Sequence, residues 1–599
     1  MTSESSASAA VLFAAAARRH RAGEWVEAIG DYQKALHFDP QLTAARRAIG
    51  DVLERLLADV HAGGGAAAKL LFVLAVENLG TIPHGVNLRA PLIAALTEPW
   101  GRPDTLVNVT KAVLRTNPAI LGAIKRARAG WPQRLGAAQL FDAGDAAPVT
   151  SDALLRCLLQ ATRIADIGFE RLLTSVRGVL LDAASADQGN ARTSADADAL
   201  EFAVALAQQC YLNDYAYAVA DDEHARAAAL RERLVSALRA GAPVAPTWVA
   251  AVASYLPLDA VPDAERLLTR EWPAPLAEVL AQQLMQPAVE RRLRATLPRL
   301  TPVDDRVSLD VQRQYEENPY PKWVRLPLLD RPTTLDEYLS ALFPQQAFEK
   351  IGKPEAEILI AGCGTGQQAL DAANLFAASR LLAIDLSLPS LAFAQRKARE
   401  LGIDNIEFAQ ADILKLGTLS RRFESIESSG VLHHLADPWA GWKVLLGLLA
   451  PGGVMRVGLY SELGRQDVVR GRELVAARGD RATPDGIRRA RQELIALANA
   501  EALWFVRDSQ DFFSISECRD LLFHVQEQRT TLPEIQAFLA AHGLRFLGFE
   551  LGSAQWQAYG ARFPEDATRS DLERWHRFET ENPRAFAGMY QFWVQKPRS

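Results

Sequence analysis

Four cysteines in 599 residues, at positions 157, 210, 363 and 518, are too few and too scattered for a disulfide framework or a zinc site. They fit a reducing compartment, and a cytoplasmic protein is the expectation. No run of about eighteen apolar residues occurs, so no membrane span is expected. The apolar stretch in "SASAAVLFAAAARRH" lacks a basic leader: the residues before it are polar and include Glu4. Positive charge is not in excess either. Lys and Arg number 66 against 72 Asp and Glu, a formal net charge of −6, which offers no overall footprint for nucleic acid. Disorder is excluded from the other side, because 49% of the chain is apolar. The first 300 residues also have little of the alternation that marks strands.

What that first half contains is amphipathic helix interrupted by Pro and Gly. In "AGEWVEAIGDYQKALHFDPQ", Ala28, Tyr32 and Ala35 recur at helical spacing, Gly23 marks a turn and Pro40 closes the unit. This resembles a tetratricopeptide repeat, whose small residues let paired helices pack closely. A second repeat begins at "LTAARRAIGDVLERLL" and dissolves in "HAGGGAAAK". An independent solenoid needs about three repeats, so residues 1–60 must lean on the α-helical region 61–300. Two readings stand: a structural layer, or a groove that docks a peptide or protein.

Residues 301–345 form a linker that carries the strip "YEENPYP", in which Pro319 and Pro321 stiffen the chain around Tyr320. Tyr315, Asn318 and Tyr320 suit a pocket wall as well as a packed linker. From 346 to 599 strands and helices alternate: "EILIAG", "RLLAIDL", "IEFAQAD", "FESIESSG" and "GGVMRVGLY" are separated by helices, with Ser387 and Asp437 as N-caps. Such a pattern implies a mostly parallel α/β sheet whose ligand lies outside the carboxyl ends of the strands. Segments 464–531 and 552–587 interrupt it as insertions, both candidate lids.

Gly362, Gly364 and Gly366 follow the first strand, where they let backbone N–H groups approach a ligand. The last glycine of the dinucleotide fingerprint is missing, which counts against a nicotinamide oxidoreductase. Asp385 closes the second strand about twenty residues on, placed to bridge two ribose hydroxyls. Asp412 closes the third. At these residues, and over 346–463, the chain resembles the class I S-adenosylmethionine-dependent methyltransferases. "ESSGVLHHLADPWAGWKVLLGLLAPGG" looks like their ubiquinone-biosynthesis-like branch. The order of repeat, strip and domain resembles a bacterial group of repeat-plus-methyltransferase proteins.

The resemblance implies a seven-stranded Rossmann-like sheet whose last strand inserts beside its predecessor, and S-adenosyl-L-methionine as cofactor. It implies that the three glycines pass beneath the methionine part. Asp385 with Leu386 would meet the ribose, Asp412 with Ile413 the adenine, and Ser429 would close the fourth strand beside them. One departure is plain: Ile360 stands where the family carries an acid.

Methyl transfer needs a general base only when the acceptor must lose a proton. His433, His434 and Tyr320 are the candidates for that role, and each has a plain packing alternative. Tyr315, Asn318, Tyr460 and His524 are candidates for contacting the acceptor, although His524 reads more plainly as a surface histidine. No metal ligand set is read. The Asn/Asp-Pro-Pro-Tyr run of base- and glutamine-methylating enzymes is absent. The expected function is methyl transfer to a protein or peptide docked by the helical half. Alternatives are a small-metabolite methyltransferase or a scaffold with a degenerate methyltransferase domain.

Overall fold

The structure, a computed structural model, describes residues 3–77, 79, 82, 86–187, 194–327, 329, 331–497 and 503–598. Within the first insertion, residues 498–502 lie outside this description. The chain forms two compact units: Met1–Pro287 with Trp323–Asp330, and Ala288–Lys322 with Arg331–Ser599. The second unit thus takes in residues that precede the strip as well as the strip itself.

The first unit is helical among its described residues. Gly23, at φ +81°, turns the chain between the helices Ser3–Ala22 and Trp25–Phe38. Ala28, Tyr32 and Ala35 are buried, as their spacing on one helical face requires. Two apolar cores fill the unit, and the helix Ser194–Leu212 serves both. Phe202, Ala205, Leu206 and Cys210 enter one core; Leu200, Ala203, Val204 and Ala207 enter the other. A helix apolar around most of its girth belongs inside.

The second unit holds a seven-stranded sheet in the order β3-β2-β1-β4-β5-β7-β6. The strands are β1 (Glu357–Ala361), β2 (Arg380–Asp385), β3 (Ile406–Gln410), β4 (Phe423–Ser429), β5 (Leu449–Leu459), β6 (Arg545–Phe549) and β7 (Tyr590–Gln595). The first five are parallel, and β7 runs antiparallel between β5 and β6. In β1, Ile358, Leu359 and Ile360 are all buried, the mark of a strand covered on both faces. Each such side chain contributes about 1.5–3 kcal/mol relative to exposure. Ser387 and Asp437 cap their helices as their types dictate: Ser387 accepts from Ser390 N, and Asp437 from Trp439 N and Ala440 N.

Sequence and structure differ at the near edge. Residues 298–301 pair with β3, through Gln410 N to Pro298 O at 2.9 Å and Leu300 N to Gln410 O at 2.9 Å. Free ladder groups at an edge strand recruit whatever extended chain is adjacent. Among the described residues, no helix is long and apolar enough to cross a membrane.

Candidate functional site

All five parallel strands end on one side of the sheet, and the singled-out residues gather there. Gly362, at φ +83°, leaves no room for a side chain, because a Cβ would fall 2.3 Å from Val431. Gly364, at φ +53°, is equally bound to be glycine: a Cβ would meet the Tyr320 carbonyl at 2.8 Å. That carbonyl accepts from Thr365 N at 3.2 Å, and Thr365 Oγ1 donates to Pro321 O. The strip therefore lies directly on the glycine loop.

Asp385 holds the loop from below. Its Oδ2 accepts from Gly364 N at 2.8 Å and its Oδ1 from Ser387 N at 2.8 Å. Burial pushes this carboxyl up from its ordinary value, partly offset by those backbone donors. The Leu386 N–H also acts on the carboxylate, which leaves about one acceptor site open. Gly362, Gly364, Asp385, Leu386 and Ser429 keep partial exposure, as residues lining a concave surface do. The Leu386 carbonyl accepts from Gln410 Nε2 at 2.8 Å, and Ser429 Oγ accepts from Gln591 Nε2 at 3.3 Å.

Asp412 is nearly sealed, at 1% exposure. Its N donates to Thr301 Oγ1 at 2.8 Å and its Oδ1 accepts from Leu414 N at 2.9 Å. Its Oδ2 is buried without a partner. Ile413 beside it is buried.

The other end of the site is aromatic. Tyr315 Oη donates to Asp520 Oδ1 at 2.5 Å and lies 3.2 Å from His524 Nε2. The Tyr315 and Tyr320 rings stand 6.4 Å apart. His433 stacks on Tyr460 at 3.7 Å, and His434 on His524 at 3.7 Å. Arg465 lies 3.6 Å over the Tyr460 ring and pairs with Glu527 at 3.1 Å. Asn318 Oδ1 accepts from Arg519 at 2.6 Å.

Burial holds all three histidines below the usual imidazole range, helped at His433 and His524 by a neighbouring imidazole and arginine and opposed at His434 by Asp520. Burial and Asp520 push the Tyr315 phenol up, whereas for Tyr320 the Asp511 carboxylate is the leading cause.

His524 is buried, at 3% exposure, and not a surface residue. The helix Ile515–Phe523 turns Asp520 inward, and the i, i+4 spacing carries His524 with it. Sequence reasoning passed over Asp520 entirely. That spacing from an aromatic-rich run was the available signal. From the first insertion, Arg519, Asp520 and His524 reach the strip. Phe512 and Phe513 are buried, with Arg491 over their rings.

His434, Asp520 and His524 each bring one ligand atom within 4.8 Å of the others. This set does not suit a metal. The two imidazoles are stacked at 16° and 3.7 Å, so their ring planes do not meet within bonding distance of both rings. His524 Nδ1 accepts from Gln526 N at 3.0 Å, which leaves Nε2 as the N–H.

A seven-stranded sheet with β7 reversed, a glycine loop after β1 and acids ending β2 and β3 define the class I methyltransferase fold. Residues 358–453 match the family of methyltransferase domains. An uncharacterised protein of Synechococcus sp. is 32% identical over 246 residues, covering 38% of this chain and 57% of that one. Trans-aconitate 2-methyltransferase of Deinococcus radiodurans is 34% identical over 119 residues, covering 20% and 41%. The chain thus spans about half the length of the curated relatives it matches. Among solved structures, PKMT2 from Rickettsia typhi in complex with AdoHcy is 18% identical, covering 45% of this chain and 54% of that one, with a TM-score of 0.35.

Proposed function

We propose that the second unit binds S-adenosyl-L-methionine and catalyses methyl transfer to an acceptor. The observation that carries this reading is Asp412 Oδ2. A buried carboxylate oxygen without a donor costs roughly 1–3 kcal/mol or more, so it calls for a ligand that supplies one. The exocyclic amine of adenine is such a donor, and the position at the end of β3 is where it would lie.

The remaining residues fit the rest of the molecule. The backbone of Gly362, Gly364 and Gly366 lets the methionine part approach, and the open acceptor site of Asp385 suits a ribose hydroxyl. Leu386 and Ile413 flank the nucleoside, and Ser429 adds a hydroxyl at the end of β4. S-adenosylmethionine supplies an electrophilic methyl on a good leaving group, so holding the acceptor in line supplies much of the rate. Tyr320 roofs the glycine loop and excludes water there. His433 and His434 are neutral rings and weak bases, so their part is to position and to accept a hydrogen bond rather than to abstract a proton.

The first unit is the expected place for docking a protein or peptide acceptor, and its tetratricopeptide-like opening supports that reading. Calorimetric titration tests the cofactor. S-adenosylhomocysteine should bind and NADPH should not; the opposite result would overturn the reading. Asp412→Asn should weaken S-adenosylhomocysteine about five- to tenfold, because half of the acceptor is replaced by a donor. It should leave thermal stability unchanged or raise it by up to about 1 kcal/mol, because a buried oxygen without a donor is removed.

A further inference from the structure

Beneath the end of β4 the sheet carries a buried acid that none of the contacts above employs. Glu427 pairs with Ile360 of β1 on one side and with Arg456 of β5 on the other. It lies two residues before Ser429 and shares its face, because side chains alternate along a strand. It is 4% exposed. Its Oε2 accepts from Gln368 Nε2 at 2.6 Å and, at 3.4 Å, from Arg456 Nη1. Among the described residues nothing donates to its Oε1. Arg456 gives its shorter bonds to Glu550, from Nε to Oε1 at 2.9 Å and from Nη2 to Oε2 at 2.5 Å. One guanidinium thus serves two carboxylates, and among the described residues no other cation pairs with either. Their remaining side-chain donors, Gln368 and Trp593 Nε1, are neutral. Burial pushes the Glu427 carboxyl up, with Arg456 the leading opposing influence.

The polar floor reaches the cofactor surface. Gln368 stands in the first turn of the helix Gln367–Leu375, directly after Gly366, so its amide joins Glu427 to the glycine loop. Arg456 Nη2 donates to Gln591 Oε1 at 3.3 Å, and Gln591 Nε2 donates to Ser429 Oγ at 3.3 Å. Gln368, Ser429, Gly430 and Gln591 all keep partial exposure, so the surface opens beside this acid. Its neighbour on β1, Ile360, is buried and has no polar atom to offer from its side chain.

We infer that Glu427, steadied by Gln368, receives the α-ammonium of the cofactor's methionine part. The acid for that group then stands on β4 and not on β1. The inference rests on the methyltransferase reading and names a residue for one part of the same ligand. An ammonium brings the positive charge that two carboxylates around one guanidinium lack, and its bond to a carboxylate is of the strong, charge-assisted kind. Gln368 holds one oxygen of Glu427 and leaves the other to the ligand.

The test compares two ligands by calorimetry on the full chain. S-adenosylhomocysteine carries the ammonium without the sulfonium, so it isolates the group in question. 5′-Methylthioadenosine keeps the nucleoside and thioether and has no ammonium. Glu427→Gln preserves the shape and removes the charge. It should weaken S-adenosylhomocysteine about tenfold or more and leave methylthioadenosine within about twofold. A merely structural role would weaken both ligands alike, because a disturbed glycine loop serves both. The analogue of S-adenosylhomocysteine with hydrogen in place of the α-amino group should bind wild type and variant equally. Should Glu427→Gln fail to fold, Glu427→Asp keeps the charge and withdraws the carboxylate by one methylene. It should weaken S-adenosylhomocysteine about threefold or more, again with methylthioadenosine unchanged. Parallel losses for both ligands, or wild-type affinity for S-adenosylhomocysteine in the folded variant, would overturn the assignment while the cofactor reading stands. No binding of either ligand to the wild type would overturn both.

Discussion

The two ends of the site are built by different means. At β1–β3 the surface is mostly backbone: glycine N–H groups, the Leu386 carbonyl, and two carboxylates whose partners lie within a few residues or one strand away. At β4–β5 it is side chains, and they come from far apart, with Tyr315 meeting Asp520 and His434 stacked on His524. Backbone geometry tolerates few substitutions, because the chain itself is the instrument. A wall of rings tolerates more, because its neighbours repack. One end should therefore fail sharply under substitution and the other by degrees.

The sharpest failure is expected at Asp385→Ala. The carboxylate holds Gly364 N and Ser387 N as well as facing the ligand, and charge-assisted bonds are worth roughly 1.5–3 kcal/mol each. Cofactor affinity by calorimetry should fall at least about 100-fold. The melting temperature should fall too, because two backbone donors lose their acceptor. Loss of affinity without loss of stability would mean the carboxylate does not organise the loop.

Gly364→Ala comes next. A left-handed φ and a Cβ 2.8 Å from the Tyr320 carbonyl impose about 1–2 kcal/mol of strain, so roughly a tenfold loss of affinity is expected. Unchanged affinity would show that the strip moves aside freely.

Tyr315→Phe probes the aromatic end. It removes the hydroxyl that joins Asp520 to His524, at about 1 kcal/mol, so turnover should fall about fivefold while cofactor affinity stays the same. A matching fall in cofactor affinity would erase the distinction between the two ends.

The smallest effect is in pH. His433 has a folded pKa well below its unfolded value of about 6.5, so below that pH the unfolded chain binds the additional proton. The contribution is present in full above about pH 6.5 and is lost as pH falls from there, by up to about 1.4 kcal/mol per unit. The drop in stability between pH 7 and 5.5 should shrink by about 1 kcal/mol in His433→Gln. An identical drop in both proteins would show that this ring is not what the acid attacks.

The same contrast explains what could be read from the chain. The glycine loop and Asp385 were legible because their signals are local: a strand, a turn that demands positive φ, and an acid at a fixed distance. The strip, Tyr460 and His433 were legible as candidates only by residue type. Asp520 was signalled only by its i, i+4 spacing to His524, because its role depends on a helix in an insertion folding back across 205 positions to reach Tyr315. Thr301 escaped for a similar reason. It sits in what composition marks as linker, and only the ladder to β3 brings it beneath Asp412.

The pairing of residues 298–301 with β3, and of the strip with the glycine loop, has a consequence for where this unit can be cut. A polypeptide begun at residue 346, where strand–helix alternation sets in, would keep every strand of the sheet. It would lose the Thr301 hydroxyl that receives Asp412 N, the cover on β3 and the roof over Gly364 together. Its sheet would be whole and its ligand cradle missing two walls. The smallest piece that can be expected to hold a nucleoside begins near Ala288.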